Sequence, residues 1–223
     1  MSTEGKKVLF IVNKFAGGKY RPELEGHIAD ACTGCDIEAV IRHTEGPLHA
    51  TTLASSAADL GVNCVVAVGG DGTINETARG LVGTGIPLGI IPKGSGNGLA
   101  RHLGIPLSTK AAMQAFVTGE SFAMDTLTIN GKLSLNVSGI GFDGHIANLF
   151  GGSTKRGLAG YASLTLKEFL RFPEFELILS RDNGESTIRS AFVLAIANSS
   201  QYGNNAWIAP RASVSDGLLH VNI

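Results

Sequence analysis

Four short apolar runs recur through the first 120 residues, at 8–12, 37–41, 64–68 and 87–91, and none of them alternates with polar residues. An alternating strand has one wet face. A run apolar at every position is buried on both faces, as strands inside a parallel sheet are. Between and after these runs lie amphipathic or alanine-rich stretches at 22–32, 47–60, 74–82, 97–103 and 109–118. Strands alternating with helices require right-handed crossovers, and so a parallel sheet with helices on both faces. The pattern predicts an α/β domain over residues 1–122.

Past residue 122 the pattern breaks. Segments 123–130, 132–139, 175–180, 188–197 and 218–223 read as strands, joined by turn chemistry such as Asn130-Gly131 and Asp182-Asn183-Gly184. One helix is expected at 158–170. A second, mainly antiparallel β domain is predicted over 123–223.

Glycine accounts for 30 of the 223 residues, about twice the usual share. With 43% hydrophobic residues and no repeat, the excess points to turns and close backbone approaches, not to disorder. A net charge of −1 with no Lys/Arg run leaves no electrostatic footprint for nucleic acid. No apolar stretch approaches the roughly 18 residues that would span a bilayer. Met1-Ser2-Thr3-Glu4-Gly5 is polar, unlike a signal peptide, and three cysteines make no disulfide framework. A cytoplasmic protein is expected.

The strongest motif is Gly69-Gly70-Asp71-Gly72-Thr73-Ile74-Asn75-Glu76, which follows a buried strand and opens a helix. Open α/β sheets bind ligands at that place. Glycines let the backbone approach a phosphate, and the helix start supplies N–H donors and a positive dipole end. Asp71 would repel a bare phosphate, so it makes sense beside a Mg²⁺ or as a proton acceptor. Thr73 and Glu76 are expected to form a capping box.

A parallel arrangement follows the next strand, in Pro92-Lys93-Gly94-Ser95-Gly96-Asn97-Gly98-Leu99-Ala100-Arg101, with Ser95 and Asn97 as hydrogen-bonding groups. Two such turns on neighbouring strand ends would form one anion-binding crevice. After the first strand, Asn13-Lys14-Phe15-Ala16-Gly17-Gly18-Lys19 fails the P-loop spacing, and Tyr20 stands where Ser or Thr is required. Three further patterns are set aside. Gly139-Ile140-Gly141-Phe142-Asp143-Gly144 lies outside any βαβ unit. Cys32-Thr33-Gly34-Cys35 ends a helix, where a thiolate gains nothing from the dipole. The six histidines show no metal-ligand spacing.

Together, Asn13 with Gly17-Gly18-Lys19, the two glycine-rich turns, Asp125, Gly139 to Asp143, and Ser215-Asp216-Gly217-Leu218-Leu219 resemble the diacylglycerol kinase catalytic-domain family. That family includes bacterial lipid kinases and relatives of sphingosine kinase. The resemblance implies an α/β nucleotide-binding domain followed by a β-sandwich-like lipid or substrate domain. It also implies transfer of the ATP γ-phosphoryl group to a lipid hydroxyl, diacylglycerol first, with ATP held between the domains. Asn13, Thr44, Gly69, Gly70, Asp71, Gly72, Thr73, Ile74, Asn75, Ser95 and Asn97 would be its nucleotide contacts. Asp71 and Asp125 would serve catalysis and the metal-bound phosphates. A structural Mg²⁺ would sit at Asp216, with Ser213 and Leu218 as carbonyl ligands. The implied partner is a lipid at the membrane surface, met without a transmembrane segment, and a homodimer is left open.

Lys14 stands where the family often has Pro, and Gly98 where Asp or Ala is common. Family chains also continue past Asp216-Gly217-Leu218 into a segment carrying an acidic general base. Because this sequence stops at Ile223 inside an expected strand, the second domain is expected to be truncated. The alternatives to a lipid kinase are an NAD kinase, which shares the first turn, and a nucleotide-binding module without turnover.

Overall fold

The computed structural model describes residues 5–18, 22–151, 168–169, 171–180 and 182–223. It divides into two compact units, Met1–Asn136 with Asn198–Leu218, and Val137–Ala197 with Leu219–Ile223. Among the described residues no helix is long and apolar enough to cross a membrane.

In the first unit, β1 (Lys6–Val12), β2 (Ile37–His43), β3 (Cys64–Gly69) and β4 (Leu88–Pro92) form one parallel sheet in the order β2-β1-β3-β4. Helices α1 (Glu23–Thr33), α2 (His49–Ser55), α3 (Asp71–Leu81), α4 (Gly98–His102) and α5 (Thr109–Thr118) connect and follow the strands. The apolar runs are used on both faces, as their lack of alternation requires. Val8, Phe10, Val12, Val66 and Val68 pack with Leu24 and Ile28 of α1 and Met113 of α5. Leu9, Ile11 and Val65 point the other way, against Ala50 and Ala54 of α2 and Leu81 of α3. Each of the larger side chains contributes about 1.5–3 kcal/mol by leaving water.

The chain leaves β1 toward β2 and then crosses back to place β3 on the other side of β1. Connections therefore diverge between β1 and β3, which opens a crevice at the carboxyl ends of these strands.

Two helix expectations need correction. Helix α3 begins at Asp71 rather than Ile74, and its N-cap is Gly70, with no side-chain cap bond. The Thr73–Glu76 capping box does not form, because Thr73 lies within the first turn and its hydroxyl accepts a bond from Asn13. Helix α2 ends at Ser55, five residues before the expected limit, and hydrogen-bonded turns carry the chain through Ala57, Leu60 and Gly61.

After α5, β5 (Leu127–Ile129) and β6 (Lys132–Ser134) form a hairpin on Asn130-Gly131, both at positive φ as the turn demands. In the second unit, β7 (Val137–Gly141) leads into α6 (Phe142–Gly151), and β8 (Phe175–Ser180) pairs with β9 (Ser186–Ala191). Strand β10 (Val193–Ala197) lies between β7 and β13 (His220–Asn222), antiparallel to both. The strand expected at 188–197 is thus two strands of different sheets. The break falls at Phe192, whose ring packs against Phe142, Phe169 and Phe172 while its carbonyl accepts the Phe142 N–H. Most of the helix expected at 158–170 lies outside the described residues, as do Lys19 and Tyr20. Segment 198–218 returns to the first unit, where β11 (Gln201–Gly203) pairs with β12 (Ala206–Trp207).

This return is held by buried polar groups. The Asn198 amide donates to the carbonyls of Asp125 and Leu135, and Ser199 donates to Asn136. His102 Nδ1, at the end of α4, accepts the Ser200 N–H at 3.2 Å and lies 2.8 Å from its hydroxyl. Burial pushes the His102 pKa below its ordinary value of 6.5. The neutral ring's contribution is therefore present above pH 6.5 and lost as pH falls through the lowered folded-state value. Acidification from pH 7 to 5 is expected to lower the melting temperature less in His102→Asn than in the wild type. Equal acid slopes in the two proteins would show that His102 does not contribute to the acid sensitivity.

Candidate functional site

The carboxyl ends of β1 to β4 converge on a cavity of about 700 Å³. Three loops and the end of β2 form its walls, and all belong to the first unit.

The first wall is the start of α3. The earliest amide of this helix to bond back is that of Ile74, to Gly70 O at 3.0 Å. The N–H groups of Asp71, Gly72 and Thr73 precede it and have no acceptor within the helix. All three residues line the cavity, at the positive end of the helix dipole. The second wall is Gly94-Ser95-Gly96. Asn97, buried and left-handed at φ 52°, shapes it, since its amide accepts from Gly94 N and donates to Gly94 O, both at 2.8 Å.

These two turns touch. A Cβ on Gly94 would lie 2.6 Å from Gly70 Cα, so the approach excludes any side chain there. Lys93 N–H donates to Gly69 O at 2.7 Å directly below. Asp71 spans the junction, and its Oδ1 accepts the Leu99 N–H at 3.1 Å from the first turn of α4. Asp71 is thus a cavity residue whose carboxylate also tethers the second motif to the first.

The third wall follows β1. Asn13 Nδ2 donates to Thr73 Oγ1 and its Oδ1 accepts from Phe15 N, both at 2.9 Å. From the end of β2, Thr44 closes the side, its N–H bonded to Val12 O.

Of the residues expected at the nucleotide, Asn13, Thr44, Gly70, Asp71, Gly72, Thr73 and Ser95 line this one cavity. Gly69, Ile74, Asn75 and Asn97 do not. Ile74 is buried in the core beside Ala67 and Leu99. The Asn75 amide donates to Leu133 O, which ties α3 to β6. Asn97 acts on the shape of its own turn. Phe15, Ala16, Gly46, Pro47 and Glu76 also line the cavity, although none was expected there from the sequence. Glu76 follows Thr73 by three residues, and that helical spacing was the available signal.

Asp125 stands elsewhere in this unit. Its N–H donates to Val214 O and its Oδ2 accepts from Gly217 N, both at 2.7 Å, while Asp216 Oδ1 accepts from Leu218 N at 3.0 Å. The two aspartates thus meet on one turn, which Ser213 also enters through its 3.4 Å contact with Ser215. Among the described residues no group of three His, Cys, Asp or Glu side chains is arranged to hold a metal ion.

The discounted motifs stay structural. Burial, with Cys35 adding to it, raises the Cys32 thiol to about 11 at the end of α1. Gly139 and Gly141 belong to β7, which pairs antiparallel with β10 and is part of no βαβ unit.

Residues 7–129 match the model of the diacylglycerol kinase catalytic domain, and residues 136–223 that of the YegS C-terminal NAD kinase beta sandwich-like domain. A probable lipid kinase YegS-like from Klebsiella pneumoniae is 31% identical over the whole of this chain and 75% of its own length. One from Enterobacter is 30% identical, with the same coverage. Among solved structures, a putative diacylglycerol kinase from Bacillus anthracis superposes with a TM-score of 0.78 at 28% identity, covering 99% of this chain and 73% of its own.

Proposed function

The chain belongs to the diacylglycerol kinase catalytic-domain family of lipid kinases, and on that premise we propose that it uses ATP and Mg²⁺ to phosphorylate the hydroxyl of diacylglycerol. The observation that carries this reading is the meeting of two glycine-rich turns, a helix start and Asp71 on one cavity.

Phosphoryl transfer requires mainly positioning and charge stabilisation. The amides of Asp71, Gly72 and Thr73 offer donors to phosphate oxygens, and the Gly94-Ser95-Gly96 turn faces them with a backbone free of side chains at its glycines. Asn13 and Thr44 bound the site toward β1 and β2. A carboxylate beside phosphates is repulsive unless a cation lies between them, which is the chemistry of the Asp71 position. When bound, Mg²⁺ would neutralise phosphate charge there. A second cation would be held by Asp216, with Asp125 beside it and the carbonyls of Ser213 and Leu218. These are hard oxygen donors, and one oxygen of each carboxylate is already fixed by a backbone N–H, an arrangement that fits Mg²⁺. In this reading residues 1–122 bind the nucleotide and 123–223 carry the lipid or substrate domain, acting from the cytoplasmic side of a membrane surface.

The test supplies γ-labelled ATP and Mg²⁺ with diacylglycerol micelles in one reaction and NAD in another. Label is expected in phosphatidic acid and its appearance is expected to stop with EDTA. Label in NADP alone would overturn the lipid reading, and ATP binding with transfer to neither acceptor would favour a module without turnover.

A further inference from the structure

The second glycine-rich turn is preceded by Lys93, at the edge of the cavity but outside its lining. Its ammonium donates to the carbonyl of Ala16 at 2.6 Å, across 77 residues of sequence. That distance is at the short end for an N–H donor, as expected for a charged one. The backbone of the same residue forms a seat. Gly17, at φ +68°, passes so close that a Cβ on it would lie 1.9 Å from Lys93 O. Lys93 N–H is in turn fixed to Gly69 O at the end of β3.

Lys93 therefore joins the loop at residues 13–17 to the two phosphate-facing turns at a single point. The other end of that loop is tied by Asn13 to Thr73. Between the two ties stands Phe15, a cavity residue with 69% of its surface exposed. Within the loop Phe15 N–H donates to Asn13 Oδ1 and Ala16 N–H to Asn13 O, and the two ties hold this turn against its neighbours. Burial also lowers the Lys93 pKa from its ordinary value.

Resting on the nucleotide reading above, we propose that Lys93 is a positioning residue for the nucleotide: its ammonium latches the loop at 13–17 through the Ala16 carbonyl, and it is not itself a phosphate ligand. The latch fixes the wall formed by Asn13, Phe15 and Gly17 before ligand arrives, so its loss weakens binding and leaves the chemical step in place.

The test compares wild type, Lys93→Met and Lys93→Arg, using ATP, ADP and adenosine as ligands. Lys93→Met is expected to raise the ATP Kd and KM about tenfold and to change kcat less than about threefold, the size of effect a charged hydrogen bond gives. ADP is expected to weaken by the same factor as ATP. Lys93→Arg, which keeps a cationic donor, is expected to recover most of the loss. Amide exchange at Phe15 and Ala16 is expected to quicken in Lys93→Met, with exchange in β3 unchanged. A loss that grows with the number of phosphates would make Lys93 a direct ligand and overturn the proposal. So would unchanged exchange at Phe15 and Ala16, or a fall in kcat at constant KM. Should the wild type bind no ATP, the nucleotide reading itself fails, and the exchange measurement still decides whether the latch exists.

Discussion

Replacing Asp71 by asparagine is expected to lower kcat by about 10²–10³-fold while moving the melting temperature by only a few degrees. The structure makes this substitution unusually clean. Asp71 has one observed duty, a hydrogen bond from Leu99 N–H at the start of α4, and one proposed duty, a negative charge on the cavity it lines. Asparagine keeps an acceptor oxygen for the first and removes the second. Asp71→Ala removes both, so its additional loss of stability measures the tether between the turns, about 1 kcal/mol for one hydrogen bond of this kind. Turnover that persists in Asp71→Asn would show that the charge is dispensable and that the aspartate serves only as a tether.

The second large effect concerns Gly98, the position where the family resemblance would tolerate alanine. Here alanine is expected to destabilise the protein by about 2–3 kcal/mol, a fall in melting temperature of roughly 5–10 °C. A Cβ on Gly98 would lie 2.6 Å from Tyr202 O and 2.6 Å from the Asn136 amide. The first of these is backbone, and it is held in place because Asn204 N donates to Gly96 O and Gly203 bridges Asn97. Neither chain can withdraw without breaking a bond that shapes the second turn, so ATP affinity is expected to fall together with stability. Calorimetry of Gly98→Ala with an unchanged melting transition would contradict this packing.

The first unit was legible because its central strands, β1 and β3, carry apolar runs buried on both faces. Runs such as residues 64–68 suit a strand covered on both faces, and their alternation with helical stretches made that sheet a parallel one, while α5 occupies its expected residues 109–118, capped by Ser108. The start of α3 was harder. Gly70, Asp71 and Gly72 have poor helix propensity, and the cap has no side chain, so the residues that matter most resembled a loop. The return of segment 198–218 had no sequence signal at all. Asn198, Ser199, Ser200 and Gln201 are polar, yet each is at most 2% exposed. Their partners, such as His102 and Asn136, lie some sixty to a hundred residues away.

The site shows the same division. The two glycine-rich turns were identifiable from chemistry at strand ends, because spacing and residue type carried that signal. The roles of Asn75, Asn97 and Lys93 were not, because each acts through a backbone atom of a distant or neighbouring turn, at Leu133, Gly94 and Ala16 respectively. A hydrogen bond to a carbonyl leaves no trace in the identity of the residue that owns it.

The reading proposed for the cavity at the ends of β1 to β4 is that it holds ATP for transfer to a lipid hydroxyl. Its most direct measurement is phosphoryl transfer from γ-labelled ATP to micellar diacylglycerol, with wild type and Asp71→Asn run side by side in the presence of Mg²⁺. Labelled phosphatidic acid is expected from the wild type, and at most about a hundredth of that rate from Asp71→Asn. Equal rates from the two proteins, or no labelled lipid from either, would contradict that reading.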